Sequence, residues 1–186
     1  FYSLAHEAAR TGLPVLRALP LAFPDDPNVN GHDFEFMLGP WLLVAPVVDK
    51  SGECEVYLPI WPDVERSSKG RRERRNAGEW AGARWIDFWT GRRHQAGRTL
   101  RLKSPLARIP VFVRAGAILP MMPDAERVPA GPVKRLNIQV YPGAPSRFTL
   151  FEDEGLTKFE LVRSGKRFTL AASGWRPEKD MKLLWR

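Results

Sequence analysis

The stretch LARIPVFVRAGAILPMMP, residues 106–123, restricts this chain more than any other. It is almost wholly apolar, yet three prolines and one glycine interrupt it, and Arg108 and Arg114 sit in its first half. A bilayer-crossing helix needs roughly 20 uninterrupted apolar residues, so this is not one. Short apolar runs between turn formers are core strands. The stretch is expected to form two core strands of a β-sandwich, joined by a tight turn at Gly116.

The rest of the chain agrees with a β reading. Seventeen prolines and fifteen glycines in 186 residues are too many for a helix bundle and suit short strands joined by turns. Hydrophobic residues make up 44%, with seven tryptophans and ten phenylalanines, so a real core can be buried. GECEVYLPIW alternates, with Cys54, Val56 and Leu58 on one face. In ARWIDFWTGRR, Trp85, Asp87 and Trp89 oppose Ile86 and Phe88, and a Thr-Gly turn closes the strand. TLRLKSPL sets Leu100 and Leu102 against Arg101 and Lys103. RLNIQVYPG sets Leu136, Ile138 and Val140 on one face, and residues 146–173 read as a meander turning at Gly155 and Gly165.

The first 42 residues differ. FYSLAHEAARTG carries apolar residues at helical spacing (Phe1, Leu4, Ala5, Ala8, Ala9) and a stop at Gly12. An uncapped helix at residue 1 leads to the expectation that the chain is part of something longer. LPVLRALPLAF has no alternation and reads as a strand buried on both faces, as in parallel sheets. Phe34, Met37 and Leu38 are spaced for a short helix ending at Gly39.

Five segments then carry a resemblance. VLRALPLAFPDDP, FEFMLGPWLLVAPVVDKSGECEVYLP, WIDFWTGRRHQAG, SPLARIPVFVRAGAILPM and VYPGAPSRFTLFEDEG come in the order seen in glycoside hydrolase family 31, over about residues 2–160. That family contains α-glucosidases, α-xylosidases and related retaining enzymes. The resemblance implies a mainly β chain: β-sandwich C-terminal domains preceded by the last α/β piece of a (β/α)8 TIM barrel. Residues 1–42 would be the barrel's end, with 13–23 its eighth strand and 32–39 a following helix. Residues 43–124 would be the proximal sandwich, and 125–186 part of the distal one. Residues 65–80, ERSSKGRRERRNAGEW, look like an insertion in the family pattern.

The resemblance also implies what the chain lacks. The family's nucleophile and acid/base aspartates, and a substrate-binding histidine, belong to upstream barrel strands, and nothing in this sequence matches their motifs. No catalytic residue is therefore expected here, and the chain alone should be inactive. Its parent would be a retaining α-glycosidase acting on α-linked glucosides or xylosides, and FPDDP leans toward the α-xylosidase-like members. A non-catalytic carbohydrate-binding β-module is the alternative.

Retaining hydrolysis uses two carboxyl groups about 5–5.5 Å apart. Asp25 and Asp26 follow the expected eighth strand, but adjacent residues at a strand end point in different directions. They are candidates for a substrate-binding rim, against the plainer role of capping a turn or the next helix. His32 and Asp33 read as a helix start, with Asp33 favoured by the helix dipole. His6, His32 and His94 are scattered and Cys54 is the single cysteine, so no metal and no cofactor are expected. Glu152, Asp153 and Glu154 read as a solvated strand turn, since a calcium loop needs more oxygens at wider spacing.

Net charge is +8, concentrated in Lys69, Arg71, Arg72, Arg74 and Arg75. Such a run can hold phosphates, but it lacks interleaved aromatics and a recognised nucleic-acid fold. It is expected to be a solvated insertion, with no nucleic-acid or membrane partner. Trp85, Phe88 and Trp89 are expected to pack the core, although the turn could expose Trp89 to a sugar. With one cysteine and no signal peptide in view, a cytoplasmic location is expected.

Overall fold

A computed structural model describes residues 1–60, 85–105, 107–123, 135–152, 155–174 and 180–186. The basic run and residues 124–134 lie outside these. The chain divides into two compact units, residues 16–113 and residues 1–15 with 114–186. Both are mainly β.

Among the described residues of the unit 16–113, eight strands make two sheets. β1 (Leu16–Ala18), β2 (Phe36–Leu38), β3 (Leu42–Val44), β4 (Glu53–Leu58), β5 (Trp85–Asp87), β6 (Arg93–His94), β7 (Arg98–Lys103) and β8 (Val111–Arg114) follow in chain order. Six of them form one sheet in the order β1-β2-β3-β8-β5-β6, and β4 pairs with β7 in a two-stranded ribbon. Leu19, Phe23, Met37, Leu43, Val56, Leu58, Trp85 and Phe112 fill the core between them. The alternation expected of β4 holds from Glu53 to Val56, but Tyr57 is buried together with Val56 and Leu58.

Residues 13–23 are not a strand buried on both faces. β1 is three residues long, alternates exposed-buried-exposed, and pairs antiparallel with β2 through Arg17 and Met37. A short helix, α2 (Leu19–Ala22), follows at once, with a proline in its first two positions. Pro20 has no N–H to give a ladder and a φ suited to a first helical turn, so it ends the strand.

Residues 32–39 are likewise not a helix. They lead into β2, and Glu35, Met37 and Gly39 are the buried positions. That is a period of two, hidden in the sequence because one inward residue is a glutamate. Phe34, which suggested the helical spacing, is 65% exposed. The helix expected to start at Asp33 does not exist.

The unit of residues 1–15 and 114–186 begins with α1 (Tyr2–Thr11), closed as expected by Gly12, whose φ of 75° lets its N–H reach Ala8 O. Gly is suited to this left-handed cap because it has no Cβ. The helix buries Ser3, whose Oγ accepts the Phe151 N–H at 3.0 Å, while His6 stacks on the Phe151 ring. The strands are β9 (Ile118–Met121), β10 (Arg135–Val140), β11 (Ser146–Glu152), β12 (Gly155–Ser164), β13 (Arg167–Ser173) and β14 (Asp180–Trp185). β11-β12-β13 is the expected antiparallel meander, and β14-β10-β9 is a second sheet with β14 parallel to β10. Ile118, Leu136, Ile138, Val140, Phe159 and Leu161 form the core they share.

The stretch 106–123 thus does supply two strands, β8 and β9, with a turn at Gly116 (φ 95°) between them. They are not a hairpin. β8 pairs with β3, and β9 pairs with β10. Pro120 explains part of this, since β9 is an edge strand and a residue without an N–H is tolerated there. The turn is held by close backbone approach: a Cβ on Gly143 would lie 2.6 Å from Ala115 C and from Gly116 N. Gly143→Ala is expected to cost about 1–3 kcal/mol of stability, measurable as a lower urea midpoint.

Candidate functional site

The polar centre of the chain lies in the unit of residues 16–113 and is built on Asp26, His32, Glu35 and Tyr57. Asp26 is buried and caps a 3-10 turn, Pro27–Val29, by accepting the Asn28 N–H at Oδ1, 3.1 Å away. Its Oδ2 accepts the Tyr57 hydroxyl at 2.9 Å and the Ile60 N–H at 2.8 Å. Two loops and the end of β4 are thereby tied to one carboxylate. Asp25 lies exposed beside it.

Tyr57 is the hub. Its phenol is pushed up to about 12, by burial first and then by the hydrogen bond to Asp26. Its ring stacks on His32 at 5.1 Å, and its backbone N–H donates to Glu35 Oε1 at 2.9 Å. The same oxygen meets His32 Nδ1 at 2.8 Å. Glu35 Oε2 is buried and has no hydrogen-bond partner among the described residues.

Burial pushes the Glu35 carboxyl above its ordinary 4.5, and the Tyr57 N–H and His32 pull it part of the way back. The native state therefore holds this proton more tightly than the unfolded chain does. Glu35's contribution to stability is full below its ordinary value and is lost as pH rises through its raised one. We expect Glu35→Gln, which keeps an acceptor for Tyr57, to flatten the fall in urea midpoint as pH rises above the ordinary 4.5. An unchanged slope in the variant would contradict this.

This cluster can bind and position chain segments, but it offers no nucleophile. Asp26 is occupied by donors on both oxygens. Cys54 is a free thiol pushed above its ordinary value by burial and by the nearby Glu35 charge, which keeps it protonated. A groove of about 480 Å³ beside it is lined by Glu53, Cys54, Glu55, Arg101, Leu102 and Lys103. Glu55 and Arg101 pair at 2.7 Å within that lining.

The other sequence candidates stand apart. His6 is on α1, and His94 lies edge-on to Phe112, held below its ordinary pKa by burial and then by Arg92. Among the described residues no group of three or more His, Cys, Asp and Glu could hold a metal ion. No helix among them is long and apolar enough to cross a membrane. Asp153, Glu154 and the basic run 65–80 are outside the described residues. Sequence reasoning missed Glu35 and Tyr57 as the centre of the cluster. The signal available was a charged residue at an inward position, two before Met37.

Two β cores, with a carboxylate cluster at the polar centre of one of them, define a mainly β chain. The family is more specific. The model of the glycosyl hydrolase family 31 C-terminal domain matches residues 12–80 and 74–119, and the chain belongs to glycoside hydrolase family 31. It is 34% identical over 203 residues to an α-xylosidase of Saccharolobus solfataricus, covering 99% of this chain and 24% of that protein. An isomaltosyltransferase of Sporosarcina globispora is 32% identical, over 83% of this chain and 13% of that protein. Among solved structures, a family 31 α-xylosidase from Xanthomonas citri superposes with a TM-score of 0.73 at 27% identity, covering 99% of this chain and 20% of that one. The chain thus spans less than a quarter of the length of these relatives.

Proposed function

We propose that this chain is the C-terminal part of a retaining α-glycosidase that hydrolyses α-linked xylosides or glucosides. The observation that carries the reading is likeness to α-xylosidases along 99% of the chain, in sequence and in fold. In the proposed reaction, one aspartate upstream of these residues attacks the anomeric carbon while a second protonates the leaving oxygen. Water then resolves the glycosyl-enzyme with the second carboxylate as base.

This chain's part is support. The Asp26–Tyr57–Glu35 cluster holds the loop 25–35 in one shape, and exposed Asp25 is offered to the rim of the sugar pocket. The division into a barrel end over 1–42, a proximal sandwich over 43–124 and a distal one over 125–186 belongs to the same reading. So does a cytoplasmic location, which suits the lone thiol Cys54. The test compares the longer protein and the 186-residue chain on aryl α-xyloside and aryl α-glucoside. Turnover by the longer protein alone supports the reading. Turnover by the chain alone, or none by the longer protein, overturns it.

A further inference from the structure

Asn30 and Gly31 are both exposed, on the loop that joins Asp26 to His32. Asn30 closes the 3-10 turn Pro27–Val29 with φ −70° and ψ 137°, and its Nδ2 donates to Pro27 O over 3.3 Å. Gly31 has a φ of 87°, and a Cβ built on it would meet nothing within 4 Å. No side chain therefore screens the peptide nitrogen that follows Asn30, and a glycine in an open turn rotates about its backbone bonds at little cost. The other asparagines among the described residues differ. Asn28 precedes buried, β-branched Val29, and its backbone N–H and Nδ2 both donate to Asp26 Oδ1, at 3.1 and 3.3 Å. Asn137 lies in β10, between Lys182 and Met121 of the neighbouring strands and ahead of fully buried Ile138.

We infer that Asn30–Gly31 is a site of spontaneous modification, at which the Asn30 side chain closes to a succinimide and reopens as aspartate or isoaspartate. The Gly31 nitrogen gives its proton to solvent and attacks Asn30 Cγ. An N–Cγ bond forms, the Cγ–Nδ2 bond breaks, and Nδ2 leaves as ammonia with a proton taken from water. Water then adds to one carbonyl of the imide. Cleavage of the N–Cγ bond gives aspartate, and cleavage at the main-chain carbonyl gives isoaspartate. The ψ of 137° holds the Gly31 nitrogen out of the ring-closing position, so attack follows rotation about that bond, which neither burial nor a side chain on residue 31 opposes. Isoaspartate lengthens the backbone by one atom between two anchored ends. Asp26 is tied to Tyr57 and Ile60 at one end, and His32 to Glu35 and Tyr57 at the other. The product thus works against the cluster that holds this loop.

The test is to age the longer protein in warm, neutral buffer and map its peptides by fragmentation that separates aspartate from isoaspartate. Asn30 is expected to convert at least about tenfold faster than Asn28 or Asn137, because a β-branched neighbour and a strand ladder hold back the nitrogen that would attack. Isoaspartate should exceed aspartate among the products. Asn30→Ser, at an exposed position, should abolish the reaction there. The isoaspartyl form, separated by ion exchange, should unfold at lower urea than Asn30→Asp, which carries the charge without the extra atom. Asn30 left intact, conversion no faster than at Asn28, or aspartate as the sole product overturns the succinimide. Equal urea midpoints for the isoaspartyl form and Asn30→Asp overturn the strain on the loop. None of these outcomes depends on the sugar chemistry proposed above.

Discussion

Trp85→Ala is expected to lower the stability of the 16–113 unit by about 3–5 kcal/mol, the range for deleting a large buried aromatic. Trp85 is fully buried, meets Phe23 edge-on at 6.2 Å, and donates its Nε1–H to Pro59 O at 2.9 Å. The substitution therefore removes the largest side chain of that core and leaves a buried carbonyl without its donor. Trp85→Phe keeps most of the volume and loses the hydrogen bond, so it should fall between wild type and alanine. Urea midpoints and near-ultraviolet circular dichroism measure both. A loss under about 1 kcal/mol for alanine would mean that the core collapses around the gap and that Trp85 does not organise it.

Asp26→Ala is the second large effect, at about 2–4 kcal/mol. It strands the buried Tyr57 hydroxyl and the Ile60 N–H, each orphaned donor costing about 1–3 kcal/mol. The Asp26 hydrogen bond and charge both raise the Tyr57 phenol, so its removal should bring that phenol down from about 12. Ultraviolet titration of tyrosine reads this directly. The double variant with Tyr57→Phe should lose less than the sum of the two single variants, because both remove the same contact. Additive losses would show that Asp26 acts through its turn and not through Tyr57.

Sequence patterning carried much of the fold, and its failures have physical causes. β7 alternates, and β4 and β10 do so until Tyr57 and Gln139, which are buried beside their apolar neighbours. The segment leading into β2 hides its period of two, because Glu35 takes an inward position, and a buried carboxyl breaks any reading based on hydrophobicity alone. Apolar LPVLRALPLAF looked like a doubly buried strand, but Pro20 divides it into a three-residue strand and a helical turn. The stretch 106–123 showed its two strands and its glycine turn. It could not show that they pair with different partners, because pairing is decided by residues far away in the chain. β14 is a six-residue strand, and its parallel pairing with β10 is likewise a long-range choice.

The site was less legible than the fold. Asp26 stood out as a possible cap, and it does cap a turn. Its other partners, Tyr57 and Ile60, lie 31 and 34 residues away. Spacing arguments do not reach that far. The spacing suggests a helix start at His32, whereas its ring contacts Glu35 and stacks on Tyr57, joining two segments that sequence keeps apart.

The most direct test of the central claim is the anomeric configuration of the first sugar released. The longer protein is mixed with aryl α-xyloside, and proton NMR is recorded before the product equilibrates. The account predicts that α-xylose accumulates first, as a double displacement requires, and that the 186-residue chain releases none. β-Xylose appearing first, or release by the chain alone, would contradict it.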